Sequence, residues 1–362
     1  MARKKIAVLF GGASSEHEVS LMSAYNVLTN IPKNKYNVMC IGITKKGHWL
    51  YYPGEYEYIR TGEWENNPDC CTAVISPDAL NKGIILMGES AYVHKVDAVF
   101  PVLHGANGED GTIQGLCALA GLPCVGSDMT GSAACMDKTI THAILDTAGI
   151  RTAPYCHITK DALSDIDGTC DMIENKLGGY PLFVKPASAG SSVGVSRAAN
   201  REALKNGIMV AFAHSVKVLI ETEIRGKEVE CAVLGNSQGL NGAEGLIASI
   251  PGQITSESGF YDYDGKYGSG SNAVLDIPAK ITPEETEELR EIAKKAYRAV
   301  GCNGMARVDF FVTDEGIILN EINTIPGFTS ISMYPKLMEN MGIPYDELLD
   351  RLIELALERC GD

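Results

Sequence analysis

Residues 305 to 333, MARVDFFVTDEGIILNEINTIPGFTSISM, decide how the rest of the chain is read. The stretch opens as an apolar strand, turns at Thr313-Asp314-Glu315-Gly316 and returns as a second strand ending in Asn320-Glu321-Ile322-Asn323. Alternation with period two puts Arg307 and Asp309 on one face of the first strand, and Glu321 and Asn323 on one face of the second. An antiparallel hairpin closed at that turn brings the two pairs together. Two carboxylates, an amide oxygen and a guanidinium then share one end of an otherwise apolar hairpin. Hard oxygen donors of this kind suit magnesium shared with substrate phosphates. A surface Arg-Asp pair is the plainer account of one such couple. Two couples beside the glycine-containing loop TIPGFTS read as a metal–nucleotide site.

The chain around this hairpin has 362 residues, more than one hydrophobic core supports, so two or three domains are expected. A formal charge of -15 argues against a nucleic-acid binder, which needs a basic face. The 11 cysteines form no CxxC pair and no zinc-like spacing. Most sit in apolar runs, as Cys117 and Cys231 do, which points to free thiols in a reducing, cytoplasmic setting. The apolar run before Gly11-Gly12 is too short for a signal peptide or a membrane span, so no membrane partner is expected.

Ile6 to Phe10 reads as a buried parallel strand entering the turn Gly11-Gly12, followed by a helix through Val19, Leu21, Met22, Tyr25 and Val27. Such a turn offers amide donors to an anion, and Glu16 inside it suggests instead a partner for an ammonium. Residues 46–95 read as strands and loops without chemistry. A second buried strand, Val96 to Leu103, ends in His104-Gly105-Ala106-Asn107-Gly108-Glu109, at the strand terminus where open α/β sheets place ligands. A short strand at 121–126 closes the first domain, and one helix is expected from about Thr130 to Gly149, with Lys138 in its first half. Lys185 is carried by a strand at 180–186 that runs into a Gly/Ser loop, a combination that can bind phosphate through charge, amides and hydroxyls, although the loop is not a Walker A sequence. Glu221 to Ile224 lies just after another apolar strand, a place suited to an adenine edge. Residues 250–276 are polar and rich in Gly, Ser and Tyr, and read as a lid. Thr282-Pro283-Glu284-Glu285 is a capping box that starts a scaffold helix, and 345–360 reads as another.

Taken together these segments resemble the D-alanine–D-alanine ligases of the ATP-grasp superfamily. The resemblance spans nearly the whole chain and is carried by GGASSEHEVS (11–20), HGANGEDG (104–111), MDK (136–138), VKPASAGSSVG (184–194), GFYDYDGKY (259–267), ARVD (306–309) and NEINTIPGFTSIS (320–332), in the expected order. It implies an α/β, three-domain ATP-grasp ligase with an N-terminal open parallel-sheet domain. The domains would span 1–126, 127–221 and 222–362, with the lid loop at 250–276 and ATP held between the last two. Lys138 and Lys185 would contact ATP phosphates, and Glu221, Glu223, Ile224 and Glu228 would surround adenine and ribose. Asp309, Glu321 and Asn323 match the ligands of two magnesium ions, which manganese can replace. Glu16 matches the holder of the first D-alanine's ammonium, tied to Ser191 and Tyr267 in a triad that fastens the lid. His104 would lie near the first substrate. Arg307 and the Gly327 amide match the oxyanion stabilisers, and Ser332 and Lys266 the groups that hold the second substrate's carboxylate. A homodimer through the N-terminal domain is implied as well.

The reaction this implies makes D-alanyl-D-alanine for peptidoglycan, through an acyl phosphate that a closing lid protects from water. Lactate-selective relatives replace the lid tyrosine with histidine, whereas this chain keeps Lys266-Tyr267. Serine-selective relatives tend to carry arginine just after the residue matching Ser332, whereas this chain has Met333, whose apolar side chain favours D-alanine. The segments GITKKGHW and FTSISMYP nevertheless resemble the serine-ligase branch, so D-alanine–D-serine ligation is the second expectation. A pocket of this kind rejects an added hydroxyl by only about 100-fold. A non-catalytic nucleotide-binding regulator is the alternative from another class, and it would be expected to have lost Arg307, Glu321 or a phosphate lysine.

Overall fold

Three β-sheets, each covered by helices, follow one another along the chain in a computed structural model that describes residues 2–88, 90–190, 192–237, 245–255 and 274–361. The expected site residues Ser191, Lys266 and Tyr267 lie outside the described residues.

The first sheet contains β1 (Lys4–Gly11), β2 (Tyr36–Ile43), β3 (Trp49–Tyr52), β4 (Cys71–Ile75), β5 (Gly83–Met87), β6 (Ala91–Lys95) and β7 (Ala98–Pro101), in the order β6-β5-β4-β3-β2-β1-β7. It is parallel where β1 meets β2 and β7, and antiparallel over the rest. The expected open parallel sheet is therefore a mixed one. Helix α1 (His17–Asn30) supplies the long crossover that a parallel pair requires, whereas the shorter links within residues 46–95 close antiparallel pairs. Ile6 to Phe10 are completely buried, as expected of a strand covered on both faces. Two further helices, α2 (Glu57–Thr61) and α3 (Thr112–Leu119), belong to this unit.

The single helix expected near 130–149 is two, α4 (Met129–Met136) and α5 (Lys138–Thr147). Asp137 between them is extended, and its carboxylate accepts the N–H groups of Thr139 and Ile140, so it caps the second helix. The apolar periodicity runs on through the break, which is why it hides the interruption.

The central sheet is wholly antiparallel, β10 (Ser196–Ala198), β9 (Leu182–Pro186), β11 (Lys217–Thr222) and β8 (Tyr155–Thr159) in that order. Helices α6 (Ile166–Leu177) and α7 (Arg201–Phe212) cover it through Ile173, Leu204 and Ile208. The third sheet runs β15 (Val274–Asp276), β14 (Gly252–Thr255), β12 (Lys227–Leu234), β16 (Met305–Thr313), β17 (Gly316–Asn323), with β13 (Ile247–Ala248) also on β12. The two ends of the expected lid loop are thus the paired strands β14 and β15. Helix α8 (Pro283–Ala299) begins with the expected capping box at Thr282 and Glu285.

Helices α9 (Met333–Asn340) and α10 (Tyr345–Arg359) complete the described chain. Leu349, Leu352 and Ile353 of α10 share one core with Ile6, Val8 and Phe10 of β1, each such side chain contributing about 1.5–3 kcal/mol on burial. Tyr36 donates from its hydroxyl to Asp350 at 2.7 Å and Glu354 at 3.0 Å, fixing the same contact from its polar edge. No helix among the described residues is long and apolar enough to cross a membrane.

Candidate functional site

The hairpin that organised the sequence forms in the register its alternation requires, with Arg307 opposite Asn323 and Asp309 opposite Glu321. Beyond Asp309 the register shifts, so that Phe310 faces Leu319 and Asn320 becomes the extra residue of a bulge. The bulge has a use: Asn320 Oδ1 accepts from the Lys185 ammonium at 3.3 Å. Arg307 grips Asp309 through two bonds, at 2.8 and 2.7 Å, and Asn323 Nδ2 donates to the same carboxylate at 3.0 Å. Glu230 on β12, in register with Asp309, adds a second carboxylate 3.0 Å from Arg307 Nε. Burial disfavours the guanidinium charge, but Asp309 and Glu230 outweigh it and hold Arg307 well above its ordinary pKa. Glu230 was not singled out in the sequence, because a lone glutamate between Val229 and Cys231 carries no local signal.

Two lysines reach the same cleft from the central unit. Lys138, the first residue of α5, donates to Ala189 O at 2.9 Å and lies 3.9 Å from Glu321 Oε2. Lys185 on β9 forms a close ion pair with buried Glu221 of β11, which also meets His142 Nε2 at 2.8 Å. Burial alone would raise the Glu221 carboxyl; Lys185 and His142 reverse the sign and hold it down at about 2. Burial likewise works against the Lys185 ammonium, and Glu221 overcomes it so that the net shift is upward. His142 escaped the sequence reading, and its signal was modest: it stands four residues after Lys138 on one helix face. Past the end of β11, Glu223, Ile224 and Glu228 line the cleft, with Glu223 pairing Arg197 and Arg225 at its rim.

The first sheet closes the other end. Glu16 stands at the N-cap position of α1 and is buried where two loops meet. A Cβ placed on Gly105, whose φ is +70°, would stand 2.5 Å from Glu16 Oε2, and one on Gly190 would stand 2.9 Å from it. Only glycine admits the carboxylate there. His104 is buried, with Nε2 3.0 Å from Ser23 Oγ and Nδ1 3.2 Å from Ile325 O. Glu109 accepts from Gly105 N–H at 2.9 Å, and burial, reinforced by Glu16, pushes its carboxyl up to about 8. Gly327 lines the same cleft as Arg307.

Glu16, His104, Lys138, Lys185, Glu221, Glu223, Ile224, Glu228, Arg307, Asp309, Glu321, Asn323 and Gly327 thus border one cleft of about 610 Å³. Ser332 and Met333 are not among its lining. Ser332 is engaged with Thr329, whose N–H reaches its hydroxyl at 3.0 Å. Met333 starts α9 and is buried in the core beside Leu337, its sulfur packed over Gly252. The apolar side chain read as a selectivity element points inward because it belongs to the buried face of a helix.

Among the described residues no group of three or more His, Cys, Asp or Glu is arranged to hold a metal alone. Magnesium shared with phosphates needs only one or two carboxylates, the remaining positions going to phosphate oxygens and water. Asp309 and Glu321, facing one another with the Asn323 amide alongside, fit that demand.

Two family models match the chain, one described as D-ala D-ala ligase N-terminus over residues 5–127 and one as D-ala D-ala ligase C-terminus over residues 144–354. The chain is similar to the D-alanine--D-alanine ligase of Thermoanaerobacter sp. (strain X514), with 47% identity over 362 residues, 99% of this chain and 98% of the relative. Among solved structures it is similar to the VanG D-Ala:D-Ser ligase of Enterococcus faecalis, with TM-score 0.88 and 42% identity over 98% of this chain and 100% of the other. The D-alanine--D-alanine ligase of Bacillus anthracis complexed with ATP matches with TM-score 0.71 and 27% identity over 99% and 98% of the two chains.

Proposed function

Because the chain belongs to the D-alanine–D-alanine ligase family, we propose that its cleft binds ATP and two D-alanines and joins them into D-alanyl-D-alanine for peptidoglycan. The observation that carries this reading is the hairpin end, where Arg307, Asp309, Glu321 and Asn323 meet the two lysines. The first D-alanine's carboxylate attacks the γ-phosphorus, the bond to ADP breaks, and an acyl phosphate forms. The second amine then bonds to the acyl carbon. The carbonyl electrons move onto oxygen and return as the carbon–phosphate oxygen bond breaks, releasing phosphate, while the ammonium proton is lost.

Each residue's part follows from its charge and place. Lys138 and Lys185 offset phosphate charge, and Glu221 with His142 keeps Lys185 aimed into the cleft. Glu221, Glu223, Ile224 and Glu228 flank adenine and ribose. Glu16 pairs with the first ammonium near His104. Arg307 and the Gly327 amide face the developing oxyanion. Asp309, Glu321 and Asn323 would hold magnesium, which supplies charge compensation on the phosphates. We place the domain divisions at 1–126, 127–221 and 222–362. All 11 cysteines are free thiols, which supports a reducing cytoplasm. Exposed Met87 on β5 and Tyr92 and Val93 on the edge strand β6 support a homodimer through the first domain, testable by light scattering.

The similarity to a D-Ala:D-Ser ligase favours D-serine as the second candidate for the attacking amino acid, and Met333, buried in the core, gives no reason against it. The deciding experiment is magnesium- and ATP-dependent phosphate release with D-alanine alone, then with D-serine added, every product identified by mass. D-alanyl-D-alanine from D-alanine alone is the expected result. Takeover by D-alanyl-D-serine at modest D-serine would move the protein to the serine branch. No turnover with either would leave a nucleotide-binding regulator.

A further inference from the structure

Ser23 is a small polar residue in the middle of α1, completely buried and about two turns after Glu16. Phe328 N–H donates to its hydroxyl oxygen at 3.3 Å, and the same oxygen is 3.0 Å from His104 Nε2. On the other side of the imidazole, Nδ1 is 3.2 Å from Ile325 O. A carbonyl only accepts, so Nδ1 carries the proton. Burial depresses the basicity of His104 more than nearby Glu16 restores it, so the ring is neutral and Nε2 is a bare lone pair. The sequence of donors is then fixed: Phe328 N–H to Ser23, Ser23 O–H to His104, His104 Nδ1–H to Ile325 O.

This chain of bonds clasps the backbone on both sides of Pro326-Gly327. Phe328 is held again beyond it, since Tyr345 donates to its carbonyl at 2.7 Å and its ring meets Phe100 edge-on at 6.4 Å. Glu109, whose carboxylate accepts from Gly105 N–H, also receives a backbone hydrogen bond from Ile325. Both imidazole nitrogens are consumed within the protein, so His104 has no ring nitrogen left over to act on substrate directly.

We propose that Ser23 and His104 are positioning residues that set the aim of the Gly327 amide on the oxyanion formed when the second amine attacks. This rests on the ligase reading above. A donor that stabilises a transition state must lie within hydrogen-bond reach of where the charge develops, and a misplacement of about 1 Å can cost on the order of 100-fold in rate. The clasp thereby joins α1, preceded at its N-cap position by Glu16, to the loop that faces the acyl carbon, so both ends of the first substrate are referred to one helix.

Ser23→Ala and His104→Gln test this in the full chain with ATP, magnesium and D-alanine. The readouts are dipeptide turnover, KM for ATP, and ADP released per dipeptide formed. Turnover is expected to fall roughly 10- to 100-fold while KM for ATP stays within about twofold. ADP per dipeptide is expected to rise above one, because acyl phosphate that is made but not captured is lost to water. A lowered turnover with that ratio still at one signifies only less folded enzyme and overturns the proposal, as does unchanged turnover. Should Ser23→Ala fail to fold, the ratio for His104→Gln, which can still reach one partner but not bridge both, decides. A wild-type enzyme that makes no dipeptide would instead defeat the ligase reading, before any variant is compared.

Discussion

Asp309 stands opposite Glu321 across the β16–β17 hairpin while both of its oxygens hold the Arg307 guanidinium, at 2.8 and 2.7 Å. One carboxylate therefore joins the oxyanion side of the site to its metal side. Arg307→Lys keeps the charge and loses the fork that fits Asp309 and Glu230 together. Turnover is expected to fall roughly 100-fold with ATP binding little changed. Steady-state kinetics would read this, and a variant close to wild type would remove Arg307 from the chemistry.

Glu321→Gln withdraws one anionic oxygen from the hairpin and the carboxylate nearest Lys138. The magnesium concentration giving half-maximal activity is expected to rise on the order of tenfold. A magnesium titration at fixed ATP checks it, and superimposable curves would take Glu321 out of the metal site.

The hairpin was legible because period-two alternation is geometric: residues two apart must share a face, so Arg307 with Asp309 and Glu321 with Asn323 could be paired on paper. The bulge at Asn320 was not, since nothing in ILNEIN marks which residue is extra. Asp137 broke an expected helix for a similar reason, its capping role being visible only once the chain has turned. Glu230, His142 and Ser23 were missed because each acts across a fold-level contact with a residue distant in sequence. Met333 illustrates the opposite case, buried in the core and off the cleft lining. It adjoins a motif, but adjacency along a helix does not place a side chain on the motif's face. The four-strand antiparallel extension of the first sheet was likewise hidden in a segment read only as strands and loops.

Glu109 gives a pH dependence with a definite sign. Its carboxyl is pushed up to about 8 from an ordinary 4.5, so between those values the folded protein binds a proton that the unfolded chain has released. Stability from this group is therefore lost as pH rises through that window and changes no further above it. Glu109→Gln, which cannot ionise, should show a flatter dependence of Tm on pH from 5 to 8 than wild type, about these limits. Parallel Tm curves for the two proteins would contradict the proton-holding state.

Gly105→Ala places a Cβ 2.5 Å from Glu16 Oε2 at a residue with φ of +70°. The carboxylate has to move, because the backbone beneath the new methyl is fixed by Glu109. KM for D-alanine is expected to rise on the order of tenfold while KM for ATP is retained, since the lysines are elsewhere. Equal KM values for D-alanine in variant and wild type would show that Glu16 does not meet the substrate.

The packing of α10 against α1 and β7 sets an order of events during synthesis. Ile6, Val8 and Phe10 leave the ribosome far ahead of Leu349, Leu352 and Ile353, yet all six are buried in one core. The first sheet must wait, with that face open to chaperones and proteases, until the helix that covers it has emerged. Nascent chains arrested before Tyr345 should therefore be cut readily within β1 and α1, and released chains should not. The unit translated first is in this sense the last to be finished.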